Sequence, residues 1–249
     1  MEPIIIDGVT RYCGCLETPS EVKKLFAPAA DKITRVPESE WKEISGLHFI
    51  NKILNQSSTS ACTAFSAVQS LMICRARQGL PHAELSPASV YGMINGGSDS
   101  GSNIGAALDT LRKNGACTIA KLDQHDWRGA RKSDAWKEEA KNYRVDEAVY
   151  CGKIIEDYLS GLQLGWCGNF GVAYNSRFRV DSDGYMIDSG EGVNHSVLAC
   201  GMKKNSRGQW FVELVNSWGT DWGINGTAFY PVDGLAAYEC FLIRNSIVE

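Results

Sequence analysis

The sequence has no long apolar run, no cluster of basic residues, no internal repeat and no low-complexity tract. Each absence removes a class of function. A membrane-spanning helix needs ~20 consecutive, largely apolar residues, and no stretch approaches that length. The net charge is −4, from 25 Lys and Arg against 29 Asp and Glu, and no row of cations is available to neutralise a row of phosphates. Nucleic acid and membrane are therefore not expected partners. The opening stretch "MEPIIIDGVTRYCGC" has an apolar run of only three isoleucines, no basic leader and no small-residue cleavage site after it, so the expectation is a cytoplasmic protein without a secretion signal. Histidine is scarce, with only His48, His82, His125 and His195.

Cysteine is not scarce. The nine cysteines form an odd set in a long chain without export signals, which favours reduced thiols over a disulfide framework. The pair in "CGC", Cys13 and Cys15, has no second close pair to complete a metal site. No metal or cofactor is expected. At 249 residues the chain is long enough for one large domain or two lobes sharing a cleft.

Residues 1–44 read as a polar, proline-punctuated lead-in that wraps the surface. Residues 45–145 are mainly helical. From Cys62 to Gln78, the residues Phe65, Val68, Leu71 and Met72 recur at helical spacing, and Gly79 supplies a stop. "LSPASVYGMI" starts a second helix, with Ser86 as N-cap and Pro87 at its first position. "SNIGAALDTLRKNG" reads as a third, with Ile104, Ala107, Leu108 and Leu111 on one face. "RGARKSDAWKEEAKNYR" reads as a solvated linker and helix face. In residues 146–249, after a helix at "GKIIEDYLSGL", the short β-branched or aromatic segments "NFGVAYN", "HSVLACGM", "QWFVELVNS" and "TAFYPV" alternate with turns, as in an antiparallel sheet or small barrel. A helical lobe beside a β lobe leaves a groove between them.

Cys62 follows small polar residues and opens a helix, where the dipole favours a thiolate. Such a nucleophile needs an imidazole, and His195 in "VNHSVLAC" stands at the start of a strand that would hold it rigidly. The imidazole in turn needs an orienting partner. Asn216 in "LVNSWGTDWGINGTAFY" ends a strand, followed by Trp218, large enough to shield the bond from water. The other three histidines have no comparable partners.

Here the sequence resembles the papain-like cysteine peptidases. Gln56 lies six positions before Cys62, "NH" at Asn194 and His195 precedes an apolar strand, and "NSWG" is followed closely by "WG" and "NG". The four blocks occur in the family's order, with 133 residues between thiol and imidazole, and the resemblance spans about residues 46–240. It implies an α+β fold in which a helical left lobe packs against an antiparallel β-barrel right lobe, with the active site in the groove. It also implies a cysteine endopeptidase acting on a peptide or protein substrate. Cys62 would attack the carbonyl, Gln56 and the Cys62 N–H would hold the oxyanion, His195 would act as general acid and base, and Asn216 would hold its ring. Val193, Asn194 and Ser196 beside the histidine, and Trp218, are the implied substrate-binding positions. The family's backbone-pairing glycine falls at Gly101, followed by Ser102, on helix register, with "NGG" at 95–97 as the alternative.

The sequence departs from the family around the thiol, where Thr63, Ser60 and Thr59 replace a tryptophan, a glycine and a half-cystine. The presenting loop therefore loses a cross-link. The lead-in lacks the long helix of the family's inhibitory pro-segments, so it is not expected to block the groove as those do. Losing disulfides and pro-segment fits a bacterial or phage-type branch. Two other classes stay open: a non-catalytic papain-like module associated with a larger particle such as a virion, and an acyltransferase or amidase using the same residues.

Overall fold

The computed structural model describes residues 3–175, 178–187, 192–235 and 239–244. The lead-in carries a hairpin of β1 (Ile4–Ile6) and β2 (Val9–Arg11), then β3 (Cys15–Leu16), the single turn α1 (Ser20–Lys23) and β4 (Ala27–Pro28). The helical region comprises α2 (Cys62–Arg77), α3 (Pro87–Ile94), α4 (Ile104–Lys113), α5 (Trp127–Lys132) and α6 (Lys137–Ala140), with the short β5 (Ser102–Asn103) before α4. The remainder runs β6 (Glu147–Gly152), α7 (Ile155–Gln163), β7 (Cys167–Val172), β8 (His195–Lys204), β9 (Trp210–Val215), β10 (Thr227–Pro231), the turn α8 (Val232–Leu235) and β11 (Cys240–Arg244).

The three long helices expected from the apolar spacing form close to where the periodicity puts them. Gly79 and Gly115, both with positive φ, follow α2 and α4 as their stops. One cap differs. Ser86 precedes Pro87 as expected, but its hydroxyl donates to the Asp123 carbonyl and accepts no N–H of the helix. The N-cap at α4 is Asn103, whose side chain accepts from Ala106 N–H.

The β region is a seven-stranded sheet in the order β10-β9-β8-β7-β11-β6-β4. The expected barrel does not form: the sheet ends on β10 at one edge and β4 at the other, and among the described residues no pairing joins them. All neighbouring strands are antiparallel except β4, which the lead-in adds parallel to β6. The sheet is buried on both faces, α2 lying on one and α7 on the other. Alternation along β11 makes this plain, with Cys240 and Leu242 in the core beside α7 and Phe241 and Ile243 in the core beside α2. Two-sided burial is also why "HSVLAC" reads as a continuous apolar run. Residues 128–144 are not wholly solvated, since Trp136, Ala130 and Ala140 close over Cys117 in a small core of their own.

Leu198 projects from β8 into the core beneath α2 and is 1% exposed. Leu198→Ala should lower the stability of the fold by about 3 kcal/mol, read as a fall in the urea midpoint at unchanged slope.

Candidate active site

Cys62 is the first residue of α2, where the free N–H groups of a helix start gather. Its sulfur is faced by the backbone N–H groups of Cys62 and Thr63 in that first turn, of Ser196 from β8, and of Gly14 from the lead-in. Each favours the thiolate, but the sulfur is completely buried, and burial pushes its pKa up to about 12.

His195 opens β8 and is also completely buried. Its Nε2 lies 2.7 Å from Asn216 Oδ1, and that oxygen also accepts the Ser217 backbone N–H at 2.7 Å. A backbone N–H can only donate, so the Asn216 atom is the carbonyl oxygen and His195 Nε2 carries the proton. In the neutral ring Nδ1 is then the basic nitrogen, and among the described residues it has no hydrogen-bond partner. Trp218 lies against the imidazole with ring centres 4.4 Å apart, and Tyr174 packs against both rings at 5.2 and 5.0 Å. This apolar wall lowers the His195 pKa to about 4, with the Asn216 hydrogen bond opposing. Burial thus disfavours the charged form of both the thiol and the imidazole.

Gln56 is fixed by Ser217, whose hydroxyl donates to Oε1 at 2.6 Å, leaving Nε2 as the donor end. That amide donates to the Thr59 carbonyl at 2.7 Å and to the Tyr12 carbonyl at 3.1 Å, while the Trp218 indole N–H donates to the same Tyr12 oxygen at 3.1 Å. A carbonyl of the lead-in therefore already sits on the side chain expected to hold an oxyanion.

The lead-in covers the groove with extended backbone and not with a long helix such as the family's pro-segments carry. It threads through it. The Arg11 guanidinium donates to the Trp218 carbonyl at 3.2 Å and pairs with Asp221. Gly14 and Cys15 donate to the Asn194 carbonyl at 3.0 and 2.9 Å, Ser102 N–H donates to the Gly14 carbonyl at 2.8 Å, and β3 pairs with β5. Glycine is required at position 14, because a Cβ there would lie 1.8 Å from the Ser60 carbonyl. "CGC" thus serves close backbone approach. Among the described residues no cluster of three or more His, Cys, Asp or Glu is arranged to hold a metal.

The other expected positions divide. Gly101, with φ of +86°, packs against Gly14, so Gly101 and Ser102 border the strand and the 95–97 alternative does not. Asn194 reaches the lead-in through its carbonyl, its side chain being clamped on the backbone of Tyr174 at 2.9 and 2.7 Å. Val193 is half-buried at the seam. Ser196 departs from its expected place in a pocket wall: its hydroxyl turns into α2 against Ser66, at 2.7 Å, because the helix comes close enough to satisfy it. The loop missing a cross-link is held otherwise. Ser60 N–H and the Tyr91 hydroxyl both donate to Asp99 Oδ1, and Gly101 N–H donates to the Tyr91 oxygen. Sequence reasoning passed over Asp99, Tyr91 and the lead-in, and Gly14 between two cysteines was the available signal.

The chain matches the family model described as papain family cysteine protease over residues 36–233. Among solved structures it is similar to xylellain, a cysteine protease from Xylella fastidiosa, at 19% identity and a TM-score of 0.64, over 98% of this chain and 96% of that one. It is also similar to the bromelain protease from Ananas comosus, solved with an inhibitor, at 18% identity and a TM-score of 0.68, over 85% and 100% of the two chains. A third likeness is the ragweed pollen allergen Amb a 11 in its proform, at 18% identity and a TM-score of 0.65, over 88% of this chain and 72% of that one. At these identities the three structures speak for the fold alone.

With a folded pKa near 4 against an ordinary 6.5, His195 takes up its proton more readily in the unfolded chain. Stability should therefore fall as the pH drops from about 6.5 to about 4, by up to about 3 kcal/mol. His195→Gln should remove that part of the acid sensitivity, measured by urea denaturation at pH 7 and pH 4.5.

Proposed function

Because the chain belongs to the papain family of cysteine proteases, a family of hydrolases acting on peptide or protein substrates, we propose that it is an endopeptidase whose nucleophile is Cys62 and whose groove is covered by its own lead-in. The observation that carries this reading is the peptide already lying across the sulfur. From Arg11 beside Trp218 to Cys15 beside Ser102, one continuous backbone passes Cys62 and leaves the groove on both sides. A groove open at both ends admits the middle of a chain, which is what an endopeptidase needs.

In the proposed reaction His195 Nδ1 takes the thiol proton, and the sulfur attacks the substrate carbonyl. The developing oxyanion replaces the Tyr12 carbonyl as acceptor for Gln56 Nε2–H, with the Cys62 N–H as second donor. The imidazolium returns the proton to the departing amine, leaving a thioester. Water, deprotonated by the same nitrogen, then releases the acid and the thiol. Asn216 accepts the Nε2 proton throughout and so keeps Nδ1 as the working nitrogen. Among the described residues no helix is long and apolar enough to cross a membrane.

Two variants test the reading. Gly14→Val in the intact chain would push its side chain into the Ser60 carbonyl and expel the strand. Alkylation of Cys62 by iodoacetamide, followed by mass spectrometry, should then accelerate on the order of 10- to 100-fold as the thiol is uncovered and rehydrated. Peptide hydrolysis should appear with it and vanish in the Gly14→Val, Cys62→Ala double variant. Hydrolysis persisting without the sulfur would refute the assignment.

A further inference from the structure

Gln56 can hold an oxyanion only if one of its two amide hydrogens points to where the charge develops. Three contacts fix that amide: the Ser217 hydroxyl on Oε1 at 2.6 Å, and the Thr59 and Tyr12 carbonyls on Nε2 at 2.7 and 3.1 Å. Tyr12 belongs to the covering strand and leaves with it. The Thr59 carbonyl then holds the nitrogen end alone, and the free hydrogen points where that carbonyl directs it.

The Thr59 carbonyl shares its peptide plane with the Ser60 N–H, which donates to Asp99 Oδ1 at 2.9 Å. A planar trans peptide carries its N–H and C=O on opposite edges, so a carboxylate gripping one edge sets the direction of the other. On its other side Thr59 is tied to the Gln56 carbonyl by its N–H and its hydroxyl. Those two bonds leave the rotation of the following plane to Asp99. The same Oδ1 accepts the Tyr91 hydroxyl at 2.7 Å, and Gly101 N–H donates to the Tyr91 oxygen at 3.1 Å. One carboxylate oxygen thus ties the oxyanion side of the groove to its Gly101 wall, with Gly14 of the covering strand close against both Ser60 and Gly101. Asp99 is itself exposed, so its charge stays solvated, while the residues that donate to it are buried.

We infer that Asp99 is a positioning residue for the reaction: acting through the Thr59–Ser60 peptide, it aims the Gln56 N–H that donates to the oxyanion. It touches neither substrate nor sulfur. The inference rests on the peptidase reading above, and its test separates the two.

The test uses the intact chain carrying Gly14→Val. Asp99→Ala should lower kcat for a fluorogenic peptide about 10- to 100-fold, somewhat less than outright loss of an oxyanion donor. Asp99→Asn, which keeps the accepting oxygen, should restore most of that loss. In a Gln56→Ala background Asp99→Ala should cost no more than about a further twofold, because the group it acts through is gone. Alkylation of Cys62 by iodoacetamide, which forms no oxyanion, should change by less than about threefold. The aim of Gln56 is also read without turnover, in the Gly14→Val, Cys62→Ala form. There Asp99→Ala should speed hydrogen exchange of the Gln56 side-chain amide, followed by NMR, at least about tenfold, and Asp99→Asn should not. Equal falls in kcat and alkylation, a full Asp99→Ala penalty without Gln56, or unchanged Gln56 exchange would overturn the positioning role and leave the peptidase standing. Faster Gln56 exchange in Asp99→Ala, with no hydrolysis by the Gly14→Val chain, would uphold the positioning role and count against the peptidase.

Discussion

Everything at the site depends on how closely α2 approaches β8. The contact is made by small polar side chains: Ser66 and Ser196 share a hydrogen bond of 2.7 Å, and one turn on, Ser70 donates to Asn169 of β7 at 3.1 Å. All four residues are buried. Cys62 lies one helical turn before Ser66, and His195 immediately precedes Ser196, so a single hydroxyl pair sets the register of thiol and imidazole together. A shift of the helix by one residue would leave the Ser196 hydroxyl buried without this partner, at a cost of about 1–3 kcal/mol, while Ser66 would keep only its bond to the Thr63 carbonyl of its own helix. Apolar packing supplies the adhesion across the seam, and the hydroxyls specify its alignment.

The same closeness governs the chemistry. The N–H groups of Cys62, Thr63 and Ser196 pull toward a thiolate, yet burial outweighs them while the lead-in covers the sulfur, and burial disfavours the imidazolium for the same reason. On the proposed function, the strand suppresses reactivity in two ways. It excludes the substrate from the Gln56 amide, and it keeps the surroundings too dry for an ion pair. On that proposal, removing it would admit water and leave the fixed N–H groups of α2 and β8 unopposed, and the charge separation that a nucleophilic sulfur requires would become accessible.

Much of this was legible from the sequence. Apolar spacing located α2 and α4, and the order of Gln56, Cys62, His195 and Asn216 pointed to residues that the fold brings to one seam. What stayed hidden has a common cause: it depends on backbone contacts between distant segments. β4, β6 and β11 carry no turn signal strong enough to announce them, and β4 is a strand only because Val149 and Tyr150 lie beside it. The strands read equally as an open sheet or a small barrel, because alternation along a strand is the same in both, and the barrel came from the family resemblance alone. Ser196 looked like a pocket wall because its partner, Ser66, is 130 residues away. The missing long helix spoke only against covering in the family's usual manner, and glycine at position 14 lets plain backbone cover the groove instead.

The lead-in also explains how a cover made of ordinary hydrogen bonds can hold. Gly14, Cys15 and Tyr12 take up the Asn194 carbonyl, the Ser102 N–H and the Gln56 and Trp218 donors, and Arg11 fastens the near end. Each such bond contributes only about 1 kcal/mol net, and the sum would make a weak inhibitor if it arrived from solution. Because the strand is tethered at both ends, through the β1–β2 hairpin and through β4 in the main sheet, its binding is intramolecular, with an effective concentration in the millimolar range or above. A free peptide at micromolar concentration cannot compete against that. Opening therefore requires that a tether or the strand itself be altered, and the weakest point is the stretch between Arg11 and Thr18, where the grip rests on a residue without a side chain.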